Sequence, residues 1–157
     1  SLCQLASEYR AGYVLMHIQG NPKTMQIEPG YDDFPSELFC FLAGKINQIE
    51  ESGFPVDKIF IDPGIGFGKR VQDNTAALRR LSELHTFGLP ILVGASRKSF
   101  LGKLLGLDVE ERMEASMACA VISQVNGAHV FRVHDVKETK RAVSAASVIL
   151  QSPRSIS

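Results

Sequence analysis

Short, densely apolar runs recur along the chain at residues 13–17, 58–62, 90–94 and 130–134, and longer stretches of helical spacing separate them. Each run is too short for a helix and is bounded by glycine, proline or polar residues, so each reads as a strand. Between the first two, Leu38, Phe39, Leu42, Ile46 and Ile49 recur at intervals of three or four. That spacing predicts a helix over 34–52, stopped at Gly53. The second intervening helix is predicted from Asp73 as its cap to about Phe87, with Leu78, Leu81 and Leu84 inward and Gly88 as the stop. Asp108 with Glu111 resembles a capping box for a helix reaching Asn126, and Asp135 with Glu138 repeats the pattern before a last helix to about Leu150. A helix tail over 2–10, a polar loop over about 19–33, a short helix near Phe100 and a frayed tail over 151–157 complete the expectation.

The order is a helix followed by four strand–helix units. Such alternation argues an α/β fold with a parallel sheet and helical crossovers. Strands that are apolar throughout are expected where both sheet faces are covered. With 157 residues the chain suits one domain.

Composition narrows the function. Seventeen Lys and Arg balance seventeen Asp and Glu, so no overall field points to nucleic acid or an acidic membrane. No apolar run approaches the roughly 18 residues that would span a bilayer, and the start lacks a signal-peptide pattern, which makes the cytoplasm the expected compartment. Cys3, Cys40 and Cys119 are far apart in apolar stretches and read as small buried hydrophobes in a reducing compartment. No histidine has metal-ligand spacing; His17, His85 and His129 read as ordinary positions on a loop edge, a helix surface and a strand start.

Reactive residue types gather at the C-terminal ends of the strands: His17, Asp62, Ser96-Arg97-Lys98-Ser99, then Arg132 and His134. In parallel α/β folds that edge binds ligands. Asp62, before Pro63-Gly64, reads either as a carboxylate bonding loop amides or as an acceptor for two adjacent donors of an amidine-like ligand edge. Gly64, Gly66 and Gly68 fit neither the dinucleotide fingerprint nor the P-loop spacing. The loop reads as a tight turn that lets a flat ligand or neighbouring backbone approach, with Phe67 as a packing plug or one wall of a slot. Lys98 offers a point charge with three donors for a ring carbonyl or nitrogen, and Ser99 a donor for a carboxylate. Arg97 reads as part of a solvated loop. Arg132 and His134 alternate along one strand and so share a face. Their pairing favours an anion site over a structural salt bridge, with the guanidinium also able to stack on a flat ring.

These segments together resemble the dihydropteroate synthase family. Leu15-Met16-His17 with Gly20-Asn21-Pro22-Lys23-Thr24-Met25-Gln26 resembles its fifth-strand motif. Asp62-Pro63-Gly64-Ile65-Gly66-Phe67-Gly68-Lys69 resembles the sixth, Val93-Gly94-Ala95-Ser96-Arg97-Lys98-Ser99 the seventh, and Arg132-Val133-His134-Asp135-Val136-Lys137-Glu138-Thr139 the eighth. Ala95 and Ala115 depart from the usual residues without removing a functional group.

The resemblance implies the C-terminal half of a (β/α)8 barrel, four parallel strands numbered five to eight with flanking helices, forming a single partial domain over 1–157. It implies a cytoplasmic transferase of folate biosynthesis and sulfonamide target, joining 6-hydroxymethyl-7,8-dihydropterin pyrophosphate to p-aminobenzoate. By the same resemblance, Met16, Asp62, Gly66, Gly94, Lys98 and Arg132 bind the pterin. Phe67 and Ser99 seat p-aminobenzoate. Arg132 and His134 hold the pyrophosphate, and Lys98, Arg132 and His134 carry the catalysis. Mg2+ is expected for the full enzyme, with its protein ligand in the N-terminal half, so no metal residue is assigned in this chain. The chain alone is expected to be inactive and to pair with a second copy as a homodimer or with the absent half. Two other readings are a pterin-binding methyltransferase domain, which would transfer a methyl group instead of releasing pyrophosphate, and a catalytically silent half-barrel acting as an interaction module.

Overall fold

A computed structural model describes residues 2–20, 25 and 29–151. Most of the fifth-strand motif's loop, Asn21-Pro22-Lys23-Thr24 and Gln26, lies outside these residues, as does the tail beyond Gln151. The chain opens with helix α1 (Leu2–Glu8), then strand β1 (Tyr13–Met16), helix α2 (Phe34–Glu51) and strand β2 (Ile59–Asp62). Helix α3 (Val71–Arg79), strand β3 (Leu92–Val93) and helices α4 (Ser99–Leu105) and α5 (Met113–Val125) follow. Strand β4 (Val130–Phe131) and helix α6 (Val136–Gln151) end the fold.

All strand pairings are parallel. β1 lies beside β2 with Leu15 opposite Ile61 and Met16 opposite Asp62. β3 lies beside β4 with Leu92 opposite Val130 and Val93 opposite Phe131. A bridge between Ile61 and Ile91 joins the two pairs, so the four strands stand side by side in chain order. The strand–helix alternation therefore folds as the apolar runs predict, with the helices as crossovers.

The two faces of this sheet differ. Side chains alternate along a strand, and parallel register partners share a side. Leu15, Ile59, Ile61, Ile91 and Val93 are buried against the helix layer, at most 5 % exposed. From α2, Phe34, Leu38, Leu42, Ile46 and Ile49 form one buried stripe against them, and Leu81 and Leu84 add to the same core. The opposite face carries Val14, Met16, Phe60, Asp62, Leu92, Gly94 and Val130, and among the described residues no helix covers it. Val14 is 45 % exposed there. Strands apolar on both faces led to the expectation of two covered faces; among the described residues helices cover one face and none covers the other.

Several boundaries differ from the sequence pattern for local reasons. The expected helix over 73–87 divides into α3 and a tighter 3-10 segment, Leu81–Phe87, with the α-helix stopping at Arg80. Asp73 does not precede the helix. It sits in the first turn and reaches back, accepting the Arg70 backbone N–H at 2.9 Å. Asp108 and Glu111 do form a capping contact, the Asp108 N–H donating to Glu111 at 3.1 Å, but the turn they cap is 3-10 (Val109–Glu111) and α5 begins only at Met113. The Asp135 carboxylate is taken by Arg97. β3 and β4 are two residues each, shorter than their apolar runs. Cys119 is buried as expected, whereas Cys3 is only partly buried and Cys40 is exposed. No helix among the described residues is long and apolar enough to cross a membrane.

Leu42 is fully buried at the centre of the α2 stripe. Leu42→Ala should cost about 2–5 kcal/mol of stability through lost burial and a residual cavity. Leu104→Ala, at a residue 52 % exposed, should change stability by no more than about 0.5 kcal/mol. Urea unfolding of both variants checks the contrast; equal effects would place the core elsewhere.

Candidate active site

The C-terminal end of β2 places a carboxylate where burial is nearly complete: Asp62 is 3 % exposed. Its Oδ1 accepts the Gly64 N–H at 2.7 Å, so the turn-bonding role is present. Burial pushes the Asp62 carboxyl above its ordinary range, while the Gly64 N–H and the charges of Lys98, Arg132 and Lys69 pull it back. Three cations from three different loops thus act on one buried carboxylate.

Lys98 comes from the turn after β3. Burial lowers its ammonium to about 8, Asp62 opposes that shift and Arg132 adds to it. Its Nζ donates to the Ile65 carbonyl and lies 4.3 Å from the centroid of the Phe67 ring. Its stem runs over Gly66, where an added Cβ would sit 2.6 Å from Lys98 Cδ. Gly66 also has φ +80, so both backbone and space exclude a side chain. Met16, half-buried, stands in register with Asp62 on the open face. Gly94 lies under Arg132, with an added Cβ falling 3.3 Å from the guanidinium Nε.

Arg132 continues the ladder past β4, its N–H donating to the Val93 carbonyl at 3.0 Å. Its side chain is exposed. An exposed guanidinium carries no burial cost, so Arg132 needs no ion-pair partner here. Strand alternation also stops there and does not place His134. That residue is exposed, its backbone N–H donating to Ser96 Oγ at 3.2 Å with Nδ1 at 3.0 Å from the same oxygen. Ser99 is exposed at the first position of α4. The structure thus groups Met16, Asp62, Gly66, Phe67, Gly94, Lys98 and Arg132, and leaves His134 and Ser99 at the exposed margin.

Arg97 belongs to a different arrangement. Its guanidinium forks onto Asp135, Nη2 to Oδ1 at 2.7 Å and Nε to Oδ2 at 3.0 Å. A second carboxylate, through Glu110 Oε2, lies 3.5 Å from Nη1. The Arg97 N–H donates to Ser116 Oγ at 2.8 Å, and its carbonyl accepts from Arg112 at 3.2 Å. This ties the β3 loop to the β4 loop and engages both oxygens of Asp135.

Sequence reasoning passed over a second cluster beneath the glycine loop. His17, read as a loop-edge residue, is 4 % exposed, and Lys69 is 5 % exposed. Lys69 Nζ lies 2.9 Å from His17 Nδ1 and donates to the carbonyls of Gly64 and Phe67, each at 2.9 Å. Burial is the first cause that lowers His17 to about 3 and Lys69 to about 7; the Lys69 charge lowers His17 further, and Asp62 opposes the shift at Lys69. One signal did exist: two-residue alternation puts His17 on the same side as buried Leu15. Asn74, 1 % exposed, accepts the Gly66 N–H at 2.7 Å and donates to the Arg70 carbonyl at 2.9 Å. Asn74 is a small polar residue with no pattern of its own, and for Ser96, which belongs to the loop cluster, only the tertiary fold identifies the partner.

Comparison with known proteins adds a lineage to this geometry. A sequence profile of pterin binding enzymes matches residues 1–134. Dihydropteroate synthase of Escherichia coli strain K12 is 46% identical over 149 residues, covering 95% of this chain and 53% of that enzyme. The chain spans about half the length of the curated relatives it matches. The Yersinia pestis dihydropteroate synthase solved with a sulfonamide drug superimposes with a TM-score of 0.92 at 42% identity, covering 96% of this chain and 55% of that one. A Xanthomonas albilineans dihydropteroate synthase solved with 4-aminobenzoic acid superimposes with a TM-score of 0.88 at 35% identity, over 96% of this chain and 54% of the other.

The buried groups predict how stability follows pH. His17 holds a folded value of about 3 against an ordinary 6.5, so the unfolded chain binds a proton that the folded chain refuses. Stability should therefore fall as pH drops from 6.5 towards 3. Lys69 acts in the same direction higher up: between its folded value of about 7 and the ordinary 10.5, stability should rise with pH. Asp62, raised in the fold, opposes this within the carboxylate range, its contribution fading as pH rises. Urea midpoints measured across these windows check the signs. A His17→Gln variant should flatten the acidic limb, and an unchanged slope would contradict the burial argument.

Proposed function

The chain belongs to the pterin-binding enzyme family, and we propose that it forms the C-terminal half of a dihydropteroate synthase barrel, supplying strands five to eight of a (β/α)8 fold as one partial domain. The observation that carries this reading is geometric: Lys98 lies over Gly66 and Arg132 over Gly94, bordering the sheet face that carries buried Asp62. A flat heterocycle with an amidine-like edge fits such a face. Asp62 accepts two N–H bonds from the 2-amino-pyrimidine edge, and Lys98 donates to the ring carbonyl and nitrogen. At about 8, the Lys98 ammonium still carries its proton at neutral pH. Met16, Gly66 and Gly94 line the slot, and Arg132 stacks over the ring from its exposed position.

The reaction is substitution at the pterin methylene. The p-aminobenzoate nitrogen attacks carbon, the carbon–oxygen bond to pyrophosphate breaks with its electron pair on oxygen, and the arylamine proton is lost to water. Arg132 beside the slot and His134 at its margin take the role of electrostatic stabilisation of the negative charge that the leaving group gathers. Phe67 and Ser99 flank the approach of p-aminobenzoate. The described residues contain no group of three or more His, Cys, Asp or Glu fit to hold a metal. Any Mg2+ would draw its protein ligand from the part of the relatives' length that this chain does not span. The open face argues for a partner covering it, either the N-terminal half or a second copy in a homodimer, in a cytoplasmic enzyme.

Lys98→Ala should weaken binding of 6-hydroxymethylpterin by roughly 10- to 100-fold, the loss of a charge-assisted hydrogen bond in a shielded slot. Calorimetry on this chain, supplemented with the N-terminal half of a relative, measures it. Unchanged affinity in the variant would overturn the reading. Release of methyl groups from a methylated folate, with no pyrophosphate formed from the pterin pyrophosphate, would replace it with a methyltransferase.

A further inference from the structure

The Lys69–His17 pair lies outside the ligand face, yet every bond the ammonium makes ends on the loops that carry that face. The ammonium has three N–H donors, and three close acceptors meet them: His17 Nδ1, the Gly64 carbonyl and the Phe67 carbonyl. Gly64 and Phe67 are the two ends of one turn, closed by the Phe67 N–H donating to the Gly64 carbonyl at 3.0 Å. The peptide between them presents the Ile65 carbonyl that receives Lys98 Nζ, and Gly66, against which the Lys98 stem lies. Phe67 itself supplies the ring beneath the Lys98 ammonium.

The other end of the clamp is anchored as firmly. His17 continues the β1–β2 ladder, its N–H donating to the Asp62 carbonyl at 3.0 Å. Its ring is enclosed by Phe41 at 4.8 Å and by Tyr31 and Phe34 at 6.1 Å. Tyr31 also reaches the same loop, its hydroxyl donating to the Gly68 carbonyl at 2.6 Å. A methyl group at Gly64 would overlap the His17 carbonyl oxygen, so the two loops are in direct backbone contact. Below about pH 7, where Lys69 keeps its proton, Nδ1 of His17 faces an ammonium donor and the ring proton belongs on Nε2. A buried amine is costly, and a methionine of similar length would fill the space without that cost. What a methionine cannot do is hold two carbonyls and an imidazole at once.

We propose that Lys69 and His17 are a positioning pair, a buried clamp between the loops after β1 and β2 that sets where Lys98 and Phe67 stand at the ligand face. The pair touches no ligand; besides the charge that Lys69 sets against Asp62, it acts through the 64–67 turn. This rests on the pterin reading for its functional consequence, but not for its structural content.

Two ligand-free measurements on the full chain test the clamp. In the unmodified protein between about pH 3 and 7, where His17 is neutral and Lys69 charged, 15N NMR of the histidines should show His17 as the Nε2–H tautomer with a hydrogen-bonded Nδ1; an Nδ1–H tautomer there would overturn the proposal without any variant. Lysine side-chain 13C–1H spectra should show the Lys98 ε-methylene displaced upfield by the Phe67 ring. In Lys69→Met that signal should move to the position of an exposed lysine such as Lys103, while the dispersion of the amide spectrum is kept. Lys69→Gln, which retains N–H donors, should restore part of the displacement and serves if the methionine variant does not fold. A Lys98 signal unmoved in a folded Lys69 variant would overturn the proposal. With the N-terminal half of a relative added, Lys69→Met should bind 6-hydroxymethylpterin roughly 10- to 100-fold more weakly than the unmodified chain, with Lys69→Gln between them. Failure of the unmodified chain to bind would sink the pterin reading, while the NMR measurements would still decide whether the clamp exists. Binding by the unmodified chain that Lys69→Met fully preserves would sink the positioning role alone.

Discussion

A carboxylate at 3 % exposure is the constraint around which this structure is arranged. Burying an anion raises its free energy unless donors and cations replace the lost water. Here the replacement comes from the loops at the C-terminal edge of the sheet. The glycine turn gives one backbone N–H, the β3 loop gives Lys98, the β4 exit gives Arg132, and the end of the glycine loop gives Lys69. Compensation remains incomplete, since the Asp62 carboxyl stays above its ordinary range. In the proposed pterin reading, a ligand bringing two N–H donors completes it, and the buried carboxylate serves as a binding group as well as a turn cap.

The sheet explains why that face is available. Its helix side is a closed apolar layer built on Leu42, Ile59, Ile61 and Ile91, each essentially without exposure. Its other side has Asp62 and Gly94 at the rim and Val14 open to solvent. Apolar residues on both sides of a strand imply two packing partners, and the described residues supply one of them. The relatives, about twice as long, have the length to provide the second.

How much of this could be read from the sequence depended on whether an interaction was periodic or tertiary. Four strands, their parallel order and the α2 stripe follow from period and punctuation, and they appear where the pattern put them. Asp62, Lys98 and Arg132 were legible because strand ends in α/β folds collect reactive groups. His17 and Lys69 were not, because 52 residues separate partners that meet only when β1 and β2 pair. Asn74, Ser96 and Ser116 share that obscurity: each is a small polar side chain whose meaning is the loop amide it satisfies. The short strands were misjudged for the opposite reason. The apolar run at 130–134 is real, but the ladder partner beyond Val93 turns away into the Ser96 loop, so pairing ends before His134.

Arg97 and Lys98 show how such a loop distributes adjacent cations. An extended chain would send the two side chains to opposite faces with little control over the angle between them. Instead Arg97 takes a left-handed backbone, φ +54, which costs a non-glycine residue about 1–2 kcal/mol. Its N–H, carbonyl and guanidinium are each held, by Ser116, Arg112 and Asp135. That over-determination maintains a strained conformation. The consequence falls on its neighbour: with Arg97 anchored to the β4 loop, Lys98 is delivered across the glycine turn to Ile65 and Phe67. The arginine tied to the β4 loop and the buried lysine beneath the turn then fix the same ammonium from two sides. Lys98 is held from its own backbone by one and through the surface it rests on by the other.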